Sequence, residues 1–295
     1  MCRLFGFRSN TPGEVHQSLV LEKNSLRVQS QEHKDGWGIA YYQQAAPEVA
    51  LGLGPAHLDP DFERVSNLVS SHAVIAHVRL ASVGAVNLRN AHPFVYRQWT
   101  FAHNGTVCDF AQHQQAIESL IAPDFLSLIQ GETDSERCFY LFLTHLRALG
   151  ALDNTTLSQL AHALARTTEQ LAELTRTTEA GKAPTATNFL VGDGRLMVCT
   201  RRNRSLFFSE GLKRKSPSAH RAPENGTQLQ QLVIASEELS SESHWHEVAE
   251  DTLVGVDADL RLYRWTLAEM AQPLSATASS QTASSAALRL PVTAA

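Results

Sequence analysis

The chain has 295 residues, 43% of them hydrophobic and 19% charged, which suits a globular protein able to bury a full core. Its formal net charge of -5 argues against nucleic acid or an anionic membrane as a partner, since both favour a basic face. No apolar stretch approaches the roughly 20 residues of a membrane span, and the N-terminus lacks the regions of a signal peptide, so the cytoplasm is the expected location.

The four cysteines, Cys2, Cys108, Cys138 and Cys199, lie far apart and form no CxxC pair, so neither a zinc site nor a disulfide framework is expected. In a reducing compartment each is a free thiol. Burial as a small hydrophobe is the ordinary fate of the last three.

In chain order, residues 2–7 read as a buried strand that stops near 8–13. Further strands are expected over 36–42 (GWGIAYY) and 73–79 (AVIAHVR). Another covers 99–102 and runs into HNG, where Asn-Gly predicts a turn. A helix is expected over 110–120 and a second over 134–149. Thr133 can cap the second, Glu136 follows three residues later, and Phe139, Phe142, Leu143 and Leu146 recur at helical spacing. A third helix over 157–179 carries Leu160, Leu164, Leu171 and Leu174 on its apolar side and ends before Gly181 and Pro184.

The remainder returns to strand. Residues 188–201 form a hairpin around Gly-Asp-Gly, and 231–236, 252–256 and 258–265 follow as strands. Residues 212–227 are polar and read as a long surface loop. From 272 to 295 the chain is mostly Ala, Ser and Thr, a low-complexity tail that cannot bury a core. There are no internal repeats. The pattern predicts an α+β fold with largely antiparallel pairing.

Four short stretches carry chemistry when taken together: MC at 1–2, HVR at 77–79, HNG at 103–105 and ETDSE at 132–136. Methionine before a small residue is normally trimmed, which would put the thiol and the α-amine of Cys2 on one Cα. An α-amine titrates near 7.7–8.0, so it can accept a proton at neutral pH. A nucleophile beside a base is the minimum for covalent catalysis, and the thiolate is the attacking form. Alone, Cys2 reads as a strand residue of the core.

Asn104 and Gly105 can supply a side-chain amide and a backbone N–H to an oxyanion. Alone, the pair reads as a hairpin turn. Arg79 can hold a carboxylate with two parallel hydrogen bonds, or sit in a rim salt bridge. Asp134 can take an ammonium group, or cap the helix that it begins.

These residues resemble the class II glutamine amidotransferases, which belong to the N-terminal nucleophile hydrolases. The resemblance is carried by MCRLFGF, HKDGWGIAYY, AHVRLASVG, NAHPF, FAHNGTV, GETDSE and ASEELS…W. Within that family the chain looks most like the small type that carries no synthase domain. The resemblance implies a four-layer αββα sandwich with two antiparallel sheets over residues 2–267, leaving the tail outside the domain.

It implies hydrolysis of the side-chain amide of glutamine, or of a γ-glutamyl compound, through a γ-glutamyl thioester. Cys2 would be the nucleophile and its free amine the base. Asn104 and Gly105 would form the oxyanion hole. Arg79 would bind the substrate α-carboxylate, Asp134 its α-amine, and His92 would line the pocket. Where synthase-linked members carry Trp, Thr and a later His, this chain has Leu80, Ser82 and Val83. Ser82 keeps a hydroxyl contact, but Leu80 and Val83 do not replace the polar groups. Trp37 is a packing or pocket-wall residue.

No metal or organic cofactor is implied, since thiol, amine and oxyanion donors suffice for this chemistry. Residues 180–265 complete the fold and leave no room for a synthase. The ammonia therefore passes to a separate accepting protein, or the chain hydrolyses a γ-glutamyl amide outright. The latter resembles the γ-glutamyl hydrolase of ergothioneine biosynthesis. The alternative of another class is a non-catalytic regulatory or ligand-binding module that retains the fold.

Overall fold

The computed structural model describes residues 2–177, 179, 181–210, 222–241 and 243–272. The first half carries strands β1 (Arg3–Glu14), β2 (Trp37–Tyr42), β3 (Pro47–Gly52), β4 (Ser70–Val78), β5 (Phe94–Tyr96) and β6 (Trp99–Thr106). Two short helices, α1 (Leu26–Gln29) and α2 (Pro60–Leu68), lie among them, and α3 (Phe110–Leu120) and α4 (Pro123–Leu126) follow. The long helices are α5 (Asp134–Ala148) and α6 (Leu157–Leu174). Strands β7 (Ala186–Gly192), β8 (Met197–Arg201), β9 (Phe207–Ser209), β10 (Gln231–Ala235), β11 (His246–Glu247), β12 (Thr252–Val256) and β13 (Leu262–Thr266) complete the sheets, and α7 (Leu267–Met270) closes the described chain.

The strands form a 7-stranded sheet in the order β11-β9-β10-β1-β4-β2-β3 and a 6-stranded sheet in the order β13-β12-β8-β7-β6-β5. Their pairings are antiparallel throughout. Successive side chains of a strand face opposite ways, and that alternation builds the layers. Leu4, Leu232 and Ile234 face the second sheet and pack with Leu190, Met197 and Val254. Phe5, Phe7, Val233 and Ala235 face outward onto Leu19, Leu26 and Phe62 of an outer helical layer. On the far side, Phe139, Phe142, Leu160 and Leu164 of α5 and α6 cover Phe101 and Phe189 of the 6-stranded sheet. The result is the four-layer αββα sandwich.

Most expected elements fall within a few residues of their places. The expected end of β1 near residues 8–13 is instead a register shift between Arg8 and Gly13, after which the strand runs on to Glu14. The expected turn at Asn104-Gly105 is absent. Both residues lie inside β6, paired as Asn104↔Asn188 and Gly105↔Thr187, so cross-strand pairing overrides the local turn signal. Helix α6 stops at Leu174, short of the expected residue 179. β3 and α2 were not expected: β3 is a largely exposed edge and α2 a polar helix with two buried residues, Phe62 and Ser66. Residues 212–221 of the expected long loop, and the tail from 273 onward, lie outside the described residues. No helix among the described residues is long and apolar enough to cross a membrane.

Candidate active site

Cys2 immediately precedes β1, whose first residue Arg3 pairs with Val78 at the end of β4. That register brings the thiol beside the residues leaving β4, and Cys2 Sγ donates to the Leu80 carbonyl at 3.6 Å. Burial pushes the thiol above its ordinary value, while Arg79 draws it down and Asp134 pushes it up. Cys2, Arg79 and Asp134 therefore sit within one electrostatic neighbourhood.

Arg79 is 3% exposed and is fixed at both ends. Its backbone N–H donates to Gly36 O at 2.8 Å, and its carbonyl accepts from Asp35 N at 2.9 Å. Its guanidinium donates to Ala85 O at 3.0 Å and to Val83 O at 2.9 Å, so the loop after β4 wraps around it. The loop is held in turn by Glu132, whose carboxylate accepts from Ala85 N and from Asn90 Nδ2. Asn90 Oδ1 accepts from Glu132 N at 2.9 Å, which completes the tie between this loop and the segment before α5. A guanidinium has five N–H donors, so the fork retains donors for an anion after serving these carbonyls. The rim salt bridge does not form: among the described residues the contacts of this side chain are to carbonyls.

Asp134 opens α5 but does not cap it. Thr133 is the N-cap, and its hydroxyl accepts from Glu136 N at 3.2 Å. One Asp134 oxygen accepts from Val107 N and the other from Ser135 N, both at 2.8 Å. The carboxylate thus joins the start of α5 to the residue that follows β6.

Along β6, alternation sends neighbouring side chains to different layers. The His103 ring lies 2.9 Å from Ser135 Oγ on the helix side. Asn104 faces the layer between the sheets, where its Nδ2 donates to Ser236 Oγ at 3.0 Å and its Oδ1 is buried without a partner among the described residues. Gly105 is required by space. A Cβ there would lie 2.0 Å from Ala186 O and 2.3 Å from His103 Nε2. Beyond it, Ser82 is exposed, with its hydroxyl 3.2 Å from Thr106 Oγ1.

His92 is buried and stacks on His77 with ring centroids 4.2 Å apart. Neither of its ring nitrogens has a partner among the described residues, and burial holds it well below its ordinary value, hence neutral. It lies in a buried row of histidines, since His77 Nε2 contacts the His103 carbonyl at 3.2 Å. Trp37 is a packing residue. It meets Phe62 edge-on at 5.2 Å and donates to Asp59 at 2.8 Å, on the outer face of its sheet.

Two residues of this region carried no role in the sequence reading. Ser236 follows the apolar run QLVIA of β10, and Asn90 begins NAHPF. Both motifs were visible. Their partners were not, because these are brought in from 132 and 42 residues away. Among the described residues no group of three or more His, Cys, Asp or Glu is placed to hold a metal ion.

A half-buried thiol at the head of a sandwich strand thus lies in the electrostatic reach of an arginine and an aspartate from two other parts of the chain. The chain belongs to the class II glutamine amidotransferases, whose family model matches residues 1–277. The "Probable glutamine amidotransferase DUG3" of Saccharomyces cerevisiae is 28% identical over 294 residues, covering 87% of this chain and 82% of that protein. The gamma-glutamyl-hercynylcysteine sulfoxide hydrolase of Mycobacterium tuberculosis is 35% identical over 118 residues, which cover 36% of this chain and only 50% of that protein. The solved structure of a glutamine aminotransferase class-II domain protein from Silicibacter pomeroyi superposes with a TM-score of 0.60 at 22% identity, covering 90% of this chain and 99% of that one. At that identity the likeness speaks to the fold.

Proposed function

We propose that the protein is an amidohydrolase that cleaves the side-chain amide of glutamine or of a γ-glutamyl compound through a thioester on Cys2. In this reading Met1 is removed, and the freed α-amine of Cys2 takes the thiol proton, directly or through water. The raised thiol supports a need for that base, because such a thiol is not a thiolate at rest. The sulfur adds to the amide carbon, and the Asn104 amide and Gly105 N–H receive the oxyanion. The C–N bond then breaks, the nitrogen leaves carrying a proton, and water hydrolyses the thioester to glutamate. Arg79 holds the substrate α-carboxylate and Asp134 its α-ammonium. Ser82 contributes a hydroxyl at the exposed side, and His92 forms the rear wall through its stack on His77.

The observation that carries the reading is the convergence of Cys2, Arg79 and Asp134: the thiol feels the opposite charges of both side chains, which come from two other parts of the chain. The released ammonia or amine either diffuses away or passes to a separate accepting protein. The chain works in the cytoplasm without nucleic acid, membrane or cofactor. The domain spans residues 2–267, and the 272–295 tail takes no part in catalysis.

The reading is tested by incubating the purified protein with glutamine and a panel of γ-glutamyl amides and measuring free glutamate. Wild-type protein is expected to release glutamate, and Cys2→Ala to release none. Equal release by both removes Cys2 as the nucleophile, and none by wild type removes the reading and favours a ligand-binding module.

A further inference from the structure

Ser236 stands where three strands from two sheets meet. It follows the last residue of β10, is 1% exposed, and bonds β1 through both of its polar ends. Its backbone N–H donates to Leu4 O at 3.1 Å, and its Oγ accepts from Leu4 N at 3.0 Å. The same Oγ accepts from Asn104 Nδ2 of the other sheet at 3.0 Å. One hydroxyl thus links the strand that carries Cys2, two residues before Leu4, to the residue read above as the oxyanion donor.

The hydrogen-bond count at this point leaves two unmet needs. The Ser236 hydroxyl accepts twice, and its own proton has no acceptor among the described residues. Asn104 Oδ1 is buried with no donor among the described residues. A half-turn of the Asn104 amide meets both: Ser236 O–H donates to Oδ1, and the Nδ2 hydrogen held by the serine is released. A buried polar group left unpaired is costly, so the site has reason to adopt that arrangement when a carbonyl oxygen arrives to accept from Nδ2.

We propose that Ser236 is a positioning residue for this reaction: it orients the Asn104 amide relative to the Cys2 strand, so that Nδ2 faces the developing oxyanion. The proposal rests on the amidohydrolase reading above and assigns a role that this reading leaves open. Ser236 touches no reacting atom. It acts through Asn104.

The test compares wild type, Ser236→Ala, Ser236→Thr, Asn104→Ala and the Ser236→Ala/Asn104→Ala double variant. L-glutamine and L-γ-glutamyl-p-nitroanilide serve as probes. Loss of an oxyanion donor costs about 10²–10³ in rate, which sets the ceiling for Asn104→Ala. Ser236→Ala is expected to lower kcat about tenfold or more within that ceiling, with KM nearly unchanged. Ser236→Thr, which keeps the hydroxyl, is expected to recover most of the loss. The double variant is expected to be no slower than Asn104→Ala alone, as required of residues acting as a unit. Alkylation of Cys2 by iodoacetamide forms no oxyanion, and Ser236→Ala is expected to react at the wild-type rate. This control also shows whether the variant has kept its fold.

Three results overturn the proposal while wild type remains active: an unchanged kcat in Ser236→Ala, an equal fractional loss when the substitution is made in Asn104→Ala, or an alkylation rate that falls in step with kcat. Failure of the parent reading looks different. Wild type would then release no glutamate from either probe although Cys2 still alkylates, and the role of Ser236 falls with it.

Discussion

The Cys2 sulfur lies 3.6 Å from the Leu80 carbonyl, so Cys2 and the residue after Arg79 are held as neighbours by the β1–β4 pairing. That contact makes the thiol subject to the charges on either side of it. Burial raises it most, Arg79 lowers it and Asp134 raises it. Alkylation by iodoacetamide should therefore quicken with pH through and beyond the ordinary thiol range. At a fixed pH below the thiol value, Asp134→Asn should react faster than wild type and Arg79→Met slower. Stopped alkylation followed by mass analysis reads the rates. The opposite order of the two variants would contradict the arrangement.

Arg79 does two jobs with one fork. It pins the carbonyls of Val83 and Ala85 and, in the proposed function, holds a substrate carboxylate. A lysine offers one point charge and cannot span both. A charge-assisted hydrogen bond contributes about 1.5–3 kcal/mol, so Arg79→Lys should raise KM roughly 10–100-fold with a smaller change in kcat. Steady-state kinetics on a γ-glutamyl substrate checks this. An unchanged KM would reject the carboxylate role.

The buried histidines make stability depend on pH. Burial lowers His77 to about 3, holds His92 well below its ordinary 6.5, and lowers His103 as well. Between about pH 3 and pH 6.5 the unfolded chain binds protons that the folded rings refuse, so stability is full above this window and is lost as pH falls through it. Each ring adds a slope of up to about 1.4 kcal/mol per pH unit. Urea unfolding at a series of pH values should show this loss, and His92→Phe, which keeps a ring in the stack, should flatten it. A slope unaltered by His92→Phe would contradict the assignment.

Much of the molecule was legible in its sequence because local physics and the fold agree. Thr133 caps α5 as its spacing predicts, and Thr252–Val256 is a strand over the expected residues. Asn104-Gly105 was misread as a turn because its local signal is real but loses to seven consecutive pairings between β6 and β7. The candidate residues Cys2, Arg79, Asn104, Gly105 and Asp134 can be named from the sequence because each sits in a short distinctive motif. Ser236 and Asn90 act only through partners far away in the chain, and Glu132 holds a loop that single-residue reasoning treats as free. The reason for glycine at 105 was also out of reach, since Ala186 O and His103 Nε2 meet there only in the folded sheet.

The central claim is that Cys2, and no other cysteine, attacks the γ-glutamyl carbonyl. Treatment with the glutamine analogue diazo-oxonorleucine, followed by peptide mapping, tests it most directly. One adduct is expected, on a Cys2 that begins the mature chain, with the half-buried Cys108 unmodified and excess glutamine slowing the reaction. An adduct on Cys108 with Cys2 untouched, or a mature chain that retains Met1 yet still turns over γ-glutamyl substrate, would contradict it.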